Sequence, residues 1–308
     1  MTTVDLITGF LGSGKTTFIK KYVRRLMDSG ERVCILENDY GAVNVDTMLL
    51  QELSDSGCGI EMVSGACDKD CHIRRFKTKL IAMAMSGYTR VVIEPSGIFD
   101  VDEFFDSLRE PPLDRWYRLG SVVTIVDPTM KEELSESGEF LLASQASVAG
   151  AIVFSHCRTA QKSDIDESID KIEAAMKKIS ADSTLTKLRF SKPWDELTDD
   201  DFKAISESGC KKASYIKMYG EDEAFGSVYF LGLDPSPEKL GEISSAILSD
   251  SSCGHVFRIK GFTKDAGGWV EFNVTKRARS VKPIPNGQSV VIVIGENLDK
   301  NRISEYFK

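Results

Sequence analysis

The stretch Gly9-Phe10-Leu11-Gly12-Ser13-Gly14-Lys15-Thr16 constrains this chain more than any other part of its sequence. It fits GxxxxGK[ST] at every fixed position. It also sits between a short β-branched run, residues 4–8, and a helical pattern over residues 15–28. The spacing predicts a strand, a tight loop and a helix in succession. Glycines let consecutive backbone N–H groups turn inward, and the helix N-terminus adds partial positive charge, so such a loop suits a phosphate. Lys15 would reach the β- and γ-phosphates, and the Thr16 hydroxyl suits Mg²⁺. Gly12, Ser13, Gly14, Lys15, Thr16 and Thr17 are therefore the expected nucleotide-binding residues. A chance glycine-rich turn is the bland alternative, and the strand–loop–helix context argues against it.

The pattern around the loop agrees. Residues 15–28 place Phe18, Ile19, Tyr22, Val23 and Leu26 on one helical face, with Gly30 following as a C-terminal cap. Further strand candidates are residues 32–36, 90–93, 121–126 and 151–154. Several are nearly continuous apolar runs, as strands covered on both faces require. Residues 165–179 carry Ile165, Ile169, Ile172, Met176 and Ile179 at helical spacing, with a start signal at Ser163 and Asp166. The expectation is an α/β fold, a doubly wound parallel sheet of the P-loop NTPase kind. After residue 210 the rhythm changes. Strand-like runs at 227–233, 255–263, 268–274 and 289–295 surround one helical pattern, 237–248, and another begins near Asp299. That reads as a second, smaller α+β C-terminal domain. The expected domains are 1–205 and 213–308, with the polar stretch 197–212 as the linker.

Charge narrows the choice of partner. The 308 residues carry 47 Asp and Glu against 39 Lys and Arg, a net of -8. Residues 1–210 hold 35 acidic and 25 basic side chains, whereas residues 211–308 hold 12 and 14. Nucleic-acid binding needs clustered cations, so no nucleic-acid partner is expected. No run approaches the ~18 apolar residues of a membrane span, so no membrane partner is expected either. The first residues lack a basic n-region, which points to the cytoplasm. In that reducing compartment the seven cysteines read as thiols or metal ligands before disulfides.

Two further segments fit the phosphate loop. Glu94-Pro95-Ser96-Gly97 follows the apolar run 91–93. An acidic residue ending a strand there can hold Mg²⁺, and Gly97 can present its N–H to a γ-phosphate. An ordinary strand-end Glu and a turn Gly are the alternative. Asp127, which closes the next strand, is less specific and reads equally as a cap or turn former.

Together these residues resemble the CobW family, within the wider UreG- and HypB-type P-loop GTPases. The likeness begins at Gly9–Thr17, continues at Glu37-Asn38-Asp39-Tyr40-Gly41 and at Glu94–Gly97, and returns near the end. There Phe257–Phe262, Trp269 and residues 294–299 resemble the family's C-terminal domain. The resemblance implies nucleoside triphosphate hydrolysis, of GTP or ATP with Mg²⁺, coupled to delivery of a metal or metallocofactor. It implies Lys15, Glu37 and Glu94 as the catalytic residues, and Thr16 and Glu94 as Mg²⁺ ligands. It also makes Glu37–Gly41 a switch that senses the γ-phosphate. The implied partners are the triphosphate and a client metalloenzyme or cofactor protein, with a homodimer allowed.

The chain departs from that family in two places. The family's CxCC motif is replaced by Cys67-Asp68-Lys69-Asp70-Cys71-His72. Cys67, Cys71 and His72 can still hold Zn²⁺, Co²⁺ or Ni²⁺. If residues 67–71 are helical, both thiols share a face. Free thiols on a polar loop, with Asp68 or Asp70 as a helix cap, are the alternative. The guanine-reading NKxD is replaced by Ser155-His156-Cys157-Arg158. Arginine has no acceptor, so it cannot repeat that readout, although Ser155 can hydrogen-bond a base and His156 can stack on one. Three outcomes stay open: weakened guanine preference, ATP use, or a carboxylate supplied from another loop. Two other functions compete with the leading one, a P-loop small-molecule kinase and a non-hydrolysing accessory protein of a corrinoid or other metalloenzyme. Trp116, Trp194 and Trp269 read as packing anchors.

Overall fold

A computed structural model describes residues 1–38, 51–63, 69–95, 101–130, 134–182, 184–214, 225–233, 235–276, 278–284 and 289–307. The chain divides into two compact units, Met1–Met218 and Tyr219–Lys308.

The first unit is built on seven parallel strands: β1 (Thr2–Thr8), β2 (Val33–Asn38), β3 (Gly59–Val63), β4 (Arg90–Pro95), β5 (Tyr117–Val126), β6 (Ala151–Phe154) and β7 (Arg189–Phe190). Their order is β3-β2-β4-β1-β5-β6-β7. Between them run α1 (Lys15–Asp28), α2 (Gln51–Asp55), α3 (Lys69–Met85), α4 (Val101–Arg109), α5 (Leu113–Trp116), α6 (Glu136–Val148) and α7 (Lys162–Lys178). α8 (Asp199–Ser206) follows β7. The doubly wound parallel architecture is the one the sequence implies. β1 lies between β4 and β5, so the chain reverses its winding at the strand that leads into the phosphate loop. Open α/β sheets bind ligands at that place.

β1, β2 and β4 are buried along their full lengths, which explains their lack of polar alternation. The period of two sends Ile7, Ile35 and Val92 to the face packed by Phe18, Ile19, Tyr22 and Val23 of α1. It sends Leu6, Leu36 and Ile93 to the face packed by Phe76 and Leu80 of α3. At about 1.5–3 kcal/mol for each large apolar side chain fully buried, the α1 stripe alone is a major anchor. Beneath the sheet, Asp5 is fully buried and binds Arg90 through Nε at 2.6 Å.

Two expectations need correction. The helix expected at 165–179 begins earlier, at Lys162, because Asp164 accepts from the backbone N–H of Gln161 at 2.8 Å and closes the N-terminus there. The stretch proposed as a linker contains α8. Thr198 Oγ1 accepts from Asp201 N at 3.2 Å, and Asp201 Oδ2 accepts from Thr198 N at 2.9 Å. This reciprocal cap starts the helix, and Phe202 and Ile205 then fix it to the α1 side of the core.

The second unit is a five-stranded antiparallel sheet of β8 (Phe225–Leu231), β9 (His255–Asp265), β10 (Gly268–Thr275), β11 (Arg279–Pro283) and β12 (Val290–Glu296). The order is β11-β10-β9-β12-β8. α9 (Pro237–Ser249) and α10 (Lys300–Glu305) supply Leu240, Ile247 and Ile303 to a core with Ile259, Phe272, Val291 and Val293. Asp299 caps α10 by accepting from Arg302 N. No helix among the described residues is long and apolar enough to cross a membrane.

Candidate functional site

The loop after β1 is shaped by glycine. Gly9, Gly12 and Gly14 have φ of 143°, 78° and 100°, values that side chains rarely tolerate. A Cβ on Gly9 would sit 2.7 Å from Ser13 Oγ and collide with the Ile125 carbonyl. Gly14 is the N-cap of α1, with no side-chain cap and no acidic residue in the first turn. The first N–H groups of α1 therefore face outward beside positive dipole charge, with no carboxylate competing for them. Lys15 Nζ donates to the carbonyls of Gly9 at 3.0 Å and Phe10 at 3.4 Å, which holds the ammonium at the loop. Ser13 Oγ is buried without a hydrogen-bond partner among the described residues. Leaving such a group unsatisfied costs about 1–3 kcal/mol, and a phosphate oxygen would satisfy it. Thr17 is exposed in the first turn.

Carboxylates stand next to this loop. Thr16 Oγ1 donates to Glu94 Oε1 at 2.7 Å. Glu94 ends β4 and is the cross-strand partner of Glu37 at the end of β2. Both glutamates are buried, at 6% and 3% exposure, on the α1 face. Two buried carboxylates and a hydroxyl form the hard oxygen set that Mg²⁺ takes, so these residues fit that ion. Gly97 lies outside the described residues.

Of the expected transition-metal residues, Cys71 and His72 lie toward the opposite face. Cys71 and His72 lie in the first turn of α3, while Cys67 lies outside the described residues. His72 is 1% exposed, and its Nε2 meets Asn38 Oδ1 at 2.6 Å. With Oδ1 accepting, Nε2 carries the hydrogen, and the basic nitrogen of the neutral ring is Nδ1. Cys71 is half-buried. Among the described residues no group of three or more His, Cys, Asp or Glu is placed to hold a metal ion. Cys34 and Cys58 are core packing, at 0% and 3% exposure.

The loops after β6 and β7 flank the phosphate loop on its other side. Ser155 is buried and donates from its backbone to Val126 O at 2.8 Å. His156 has a φ of 53° and meets Asp127 Oδ2 through Nδ1 at 3.2 Å. The hydrogen bond to Asp127 raises the His156 pKa, against a smaller opposing effect of burial. Burial would raise the Asp127 carboxyl, but the bonds from His156 and Thr129 outweigh it and hold that carboxyl below its ordinary range. Asp127 thus does more than form a turn. Trp194 likewise does more than anchor the core. Its Nε1 donates to Phe154 O at 2.8 Å, its ring meets Phe18 edge-on, and a Cβ on Gly14 would lie 2.9 Å from its Cη2. Neither contact has a linear signal, because each joins residues far apart in the chain.

A family model for the CobW/HypB/UreG nucleotide-binding domain matches residues 3–186. The chain belongs to that family. Among curated relatives, the zinc chaperone YeiR of Escherichia coli (strain K12) is 34% identical over 141 residues, covering 45% of this chain and 42% of its own. The zinc-regulated GTPase metalloprotein activator 1 of Dictyostelium discoideum is 25% identical, covering 84% of this chain and 62% of its own. The chain thus spans between 42% and 62% of the length of the first relatives it matches. Among solved structures, zinc-bound YjiA GTPase from E. coli aligns over 99% of this chain and 98% of its own, at 16% identity and a TM-score of 0.35. The family match falls within the first unit and includes both Gly9–Thr17 and Glu94.

Proposed function

We propose that this protein binds a Mg²⁺–nucleoside triphosphate at residues 9–17, hydrolyses it slowly, and uses its occupancy to set the affinity of residues 64–72 for a transition metal destined for a client enzyme. The hydrogen bond from Thr16 to Glu94, beside an α1 N-terminus without a side-chain cap, carries the reading. A hydroxyl and a strand-end carboxylate from distant parts of the chain meet where a phosphate-bound cation has to sit. The curated relatives are named as zinc chaperones, which favours zinc over cobalt or nickel as cargo.

The geometry supports a role for each of these residues. Phosphate oxygens take the first N–H groups of α1. The Lys15 ammonium passes from the Gly9 and Phe10 carbonyls to the β- and γ-oxygens. Thr16 and Glu94 would hold a magnesium ion, which would supply charge neutralisation at the γ-phosphoryl group. Glu37, in register with Glu94, orients water on the same face. No arginine finger can be assigned from the sequence, so turnover stays near intrinsic rates, on the order of 10⁻⁴ to 10⁻² per second.

The coupling has a physical route. Glu37 faces α1, and the next residue, Asn38, holds His72 on the opposite face. A shift at the end of β2 is thereby passed to the first turn of α3, where Cys71 lies. Coupling of this kind typically changes affinity about 5- to 150-fold.

Triphosphate titration with phosphate-release measurements tests the nucleotide half of the reading. Lys15→Ala should lose triphosphate affinity at least tenfold and abolish release. Unchanged affinity would refute the phosphate-loop assignment.

A further inference from the structure

We infer that Asp195 reads the base of the bound nucleotide and that this base is guanine. The inference rests on residues 9–17 being the triphosphate site and adds the specificity that the altered Ser155–Arg158 segment leaves open.

The position of the base follows from that of the phosphates. With phosphates on the N-terminus of α1, ribose and base extend over the neighbouring loops at the same edge of the sheet. Two such loops touch Gly14. A Cβ there would lie 3.8 Å from Ser155 Cβ and 2.9 Å from Trp194 Cη2. The bond from Trp194 Nε1 to Phe154 O ties the loop after β7 to the end of β6. The base therefore meets residues 155–158, Trp194 and Asp195.

Guanine presents two adjacent donors on one edge, N1–H and the 2-amino group. A carboxylate accepts both at once, and such charge-assisted bidentate pairs are among the stronger hydrogen bonds. Adenine has an acceptor at N1, which a carboxylate repels. Arg158 has only donors. It does, however, bring a carboxylate to its own position: Arg158 Nη2 meets Asp195 Oδ2 at 3.4 Å. Lys21 of α1 holds the other oxygen, Oδ1. The bond from Lys21, then that from Arg158, keep this carboxyl below its ordinary range, so it is ionised at neutral pH.

Asp127, at the end of β5, is already engaged. Its Oδ1 accepts from Thr129 N at 2.8 Å and Thr129 Oγ1 at 2.7 Å, and its Oδ2 pairs with His156. Asp195 is held only by the ends of two long side chains and is 62% exposed. Exposed ion pairs of this type open at little cost, so a base edge can replace the guanidinium. Lys21, which keeps its hold on Oδ1, then acts as the positioning residue that presents the carboxylate across the base site.

The test is binding of GTP, ATP and XTP to the full chain and to Asp195→Asn, Glu196→Gln and Lys15→Ala. XTP replaces the 2-amino group of guanine by a carbonyl, which an asparagine amide can serve and a carboxylate cannot. The wild type should bind GTP tighter than XTP or ATP. Asp195→Asn should lower the GTP-to-XTP preference by roughly 10- to 100-fold, the discrimination of one bidentate pair, with XTP affinity rising. Glu196→Gln should keep the wild-type ratio. Lys15→Ala should weaken all three nucleotides together, so the phosphate reading and the base reading fail separately. A GTP-to-XTP ratio unchanged in Asp195→Asn, or a wild type that prefers ATP, overturns the inference while leaving triphosphate binding intact. A wild type that binds none of the three overturns both.

Discussion

Replacing Asp5 by alanine should be among the most damaging single changes in the first unit. The carboxylate is fully buried in β1. It accepts from Arg90 Nε at 2.6 Å and Nη2 at 3.1 Å, from the Tyr22 hydroxyl at 2.8 Å, and from Ser121 N at 2.8 Å. One side chain thereby ties β1 to β4, β5 and α1. Arg90 also donates to Ser206 O at 2.7 Å, which brings in the end of α8. Burial, then the nearby Asp5 charge, raise the Tyr22 phenol well above its ordinary value and keep it a donor. Alanine takes from a guanidinium whose side chain is 10% exposed its close carboxylate partner, leaving Ser206 O and the more distant Glu31 at 3.9 Å. Breaking a buried pair from one side costs about 3–5 kcal/mol, and the orphaned Ser121 N–H pushes the value toward the upper end. Against a typical stability of about 5–15 kcal/mol, that is a third or more. Urea unfolding followed by tryptophan fluorescence reads this out, since Trp116 and Trp194 both lie in the first unit. Arg90→Met and the double variant complete a cycle, and the double should fall short of the summed singles by about 1–3 kcal/mol. An Asp5→Ala cost below about 1 kcal/mol, or additivity within about 0.5 kcal/mol, would refute the network as a structural unit.

Other outcomes follow from the same geometry. Gly14→Ala places a side chain at φ 100° against Trp194. It should cost about 1–3 kcal/mol and weaken triphosphate binding at least tenfold, and an unchanged melting curve would contradict the strain. Replacing Cys67 and Cys71 together by serine should lower zinc affinity at least tenfold by competition with a chromophoric chelator; a surviving affinity would place the metal elsewhere. His156, with its raised pKa, contributes pairing energy that is fully present below the ordinary histidine value of 6.5 and is lost as pH rises through its folded value. At the acid end the pairing is lost as pH falls through the depressed value of Asp127. In an NMR titration of the three histidines, Asp127→Asn should return the His156 midpoint toward 6.5, and an unmoved midpoint would exclude the pairing as the cause of the shift.

The parts of this fold legible in the sequence are those whose burial is written in consecutive residues. β1, β2, β4, β5 and β6 show as apolar runs because helices cover both faces. α1 shows because five apolar positions recur behind an unmistakable loop. α8 does not, since a short helix with three leading aspartates and two buried apolar residues looks like a polar linker. α6 hides for a different reason. It buries Gly138, Ser144, Gln145 and Ser147 among alanines, so no apolar stripe marks its inner face. In the candidate site, the grouping of Lys15, Thr16 and Glu94 around one loop is legible because each belongs to a local pattern. The contacts of Trp194 with the phosphate loop, of Asp195 with Arg158, and of His72 with Asn38 are not. Each is a product of sheet order, which sets the ends of β1, β6 and β7, or of β2 and the start of α3, side by side.

The central claim is that occupancy of the phosphate loop and metal affinity at the start of α3 are linked through the end of β2. The most direct measurement is the zinc dissociation constant of the full chain with Mg²⁺ alone and with Mg²⁺ plus a saturating nonhydrolysable triphosphate, repeated in Asn38→Ala. The account predicts a ratio between about 5 and 150 in the wild type, collapsing toward one when the Asn38–His72 bond is removed. Equal zinc affinities with and without the triphosphate in the wild type would contradict it.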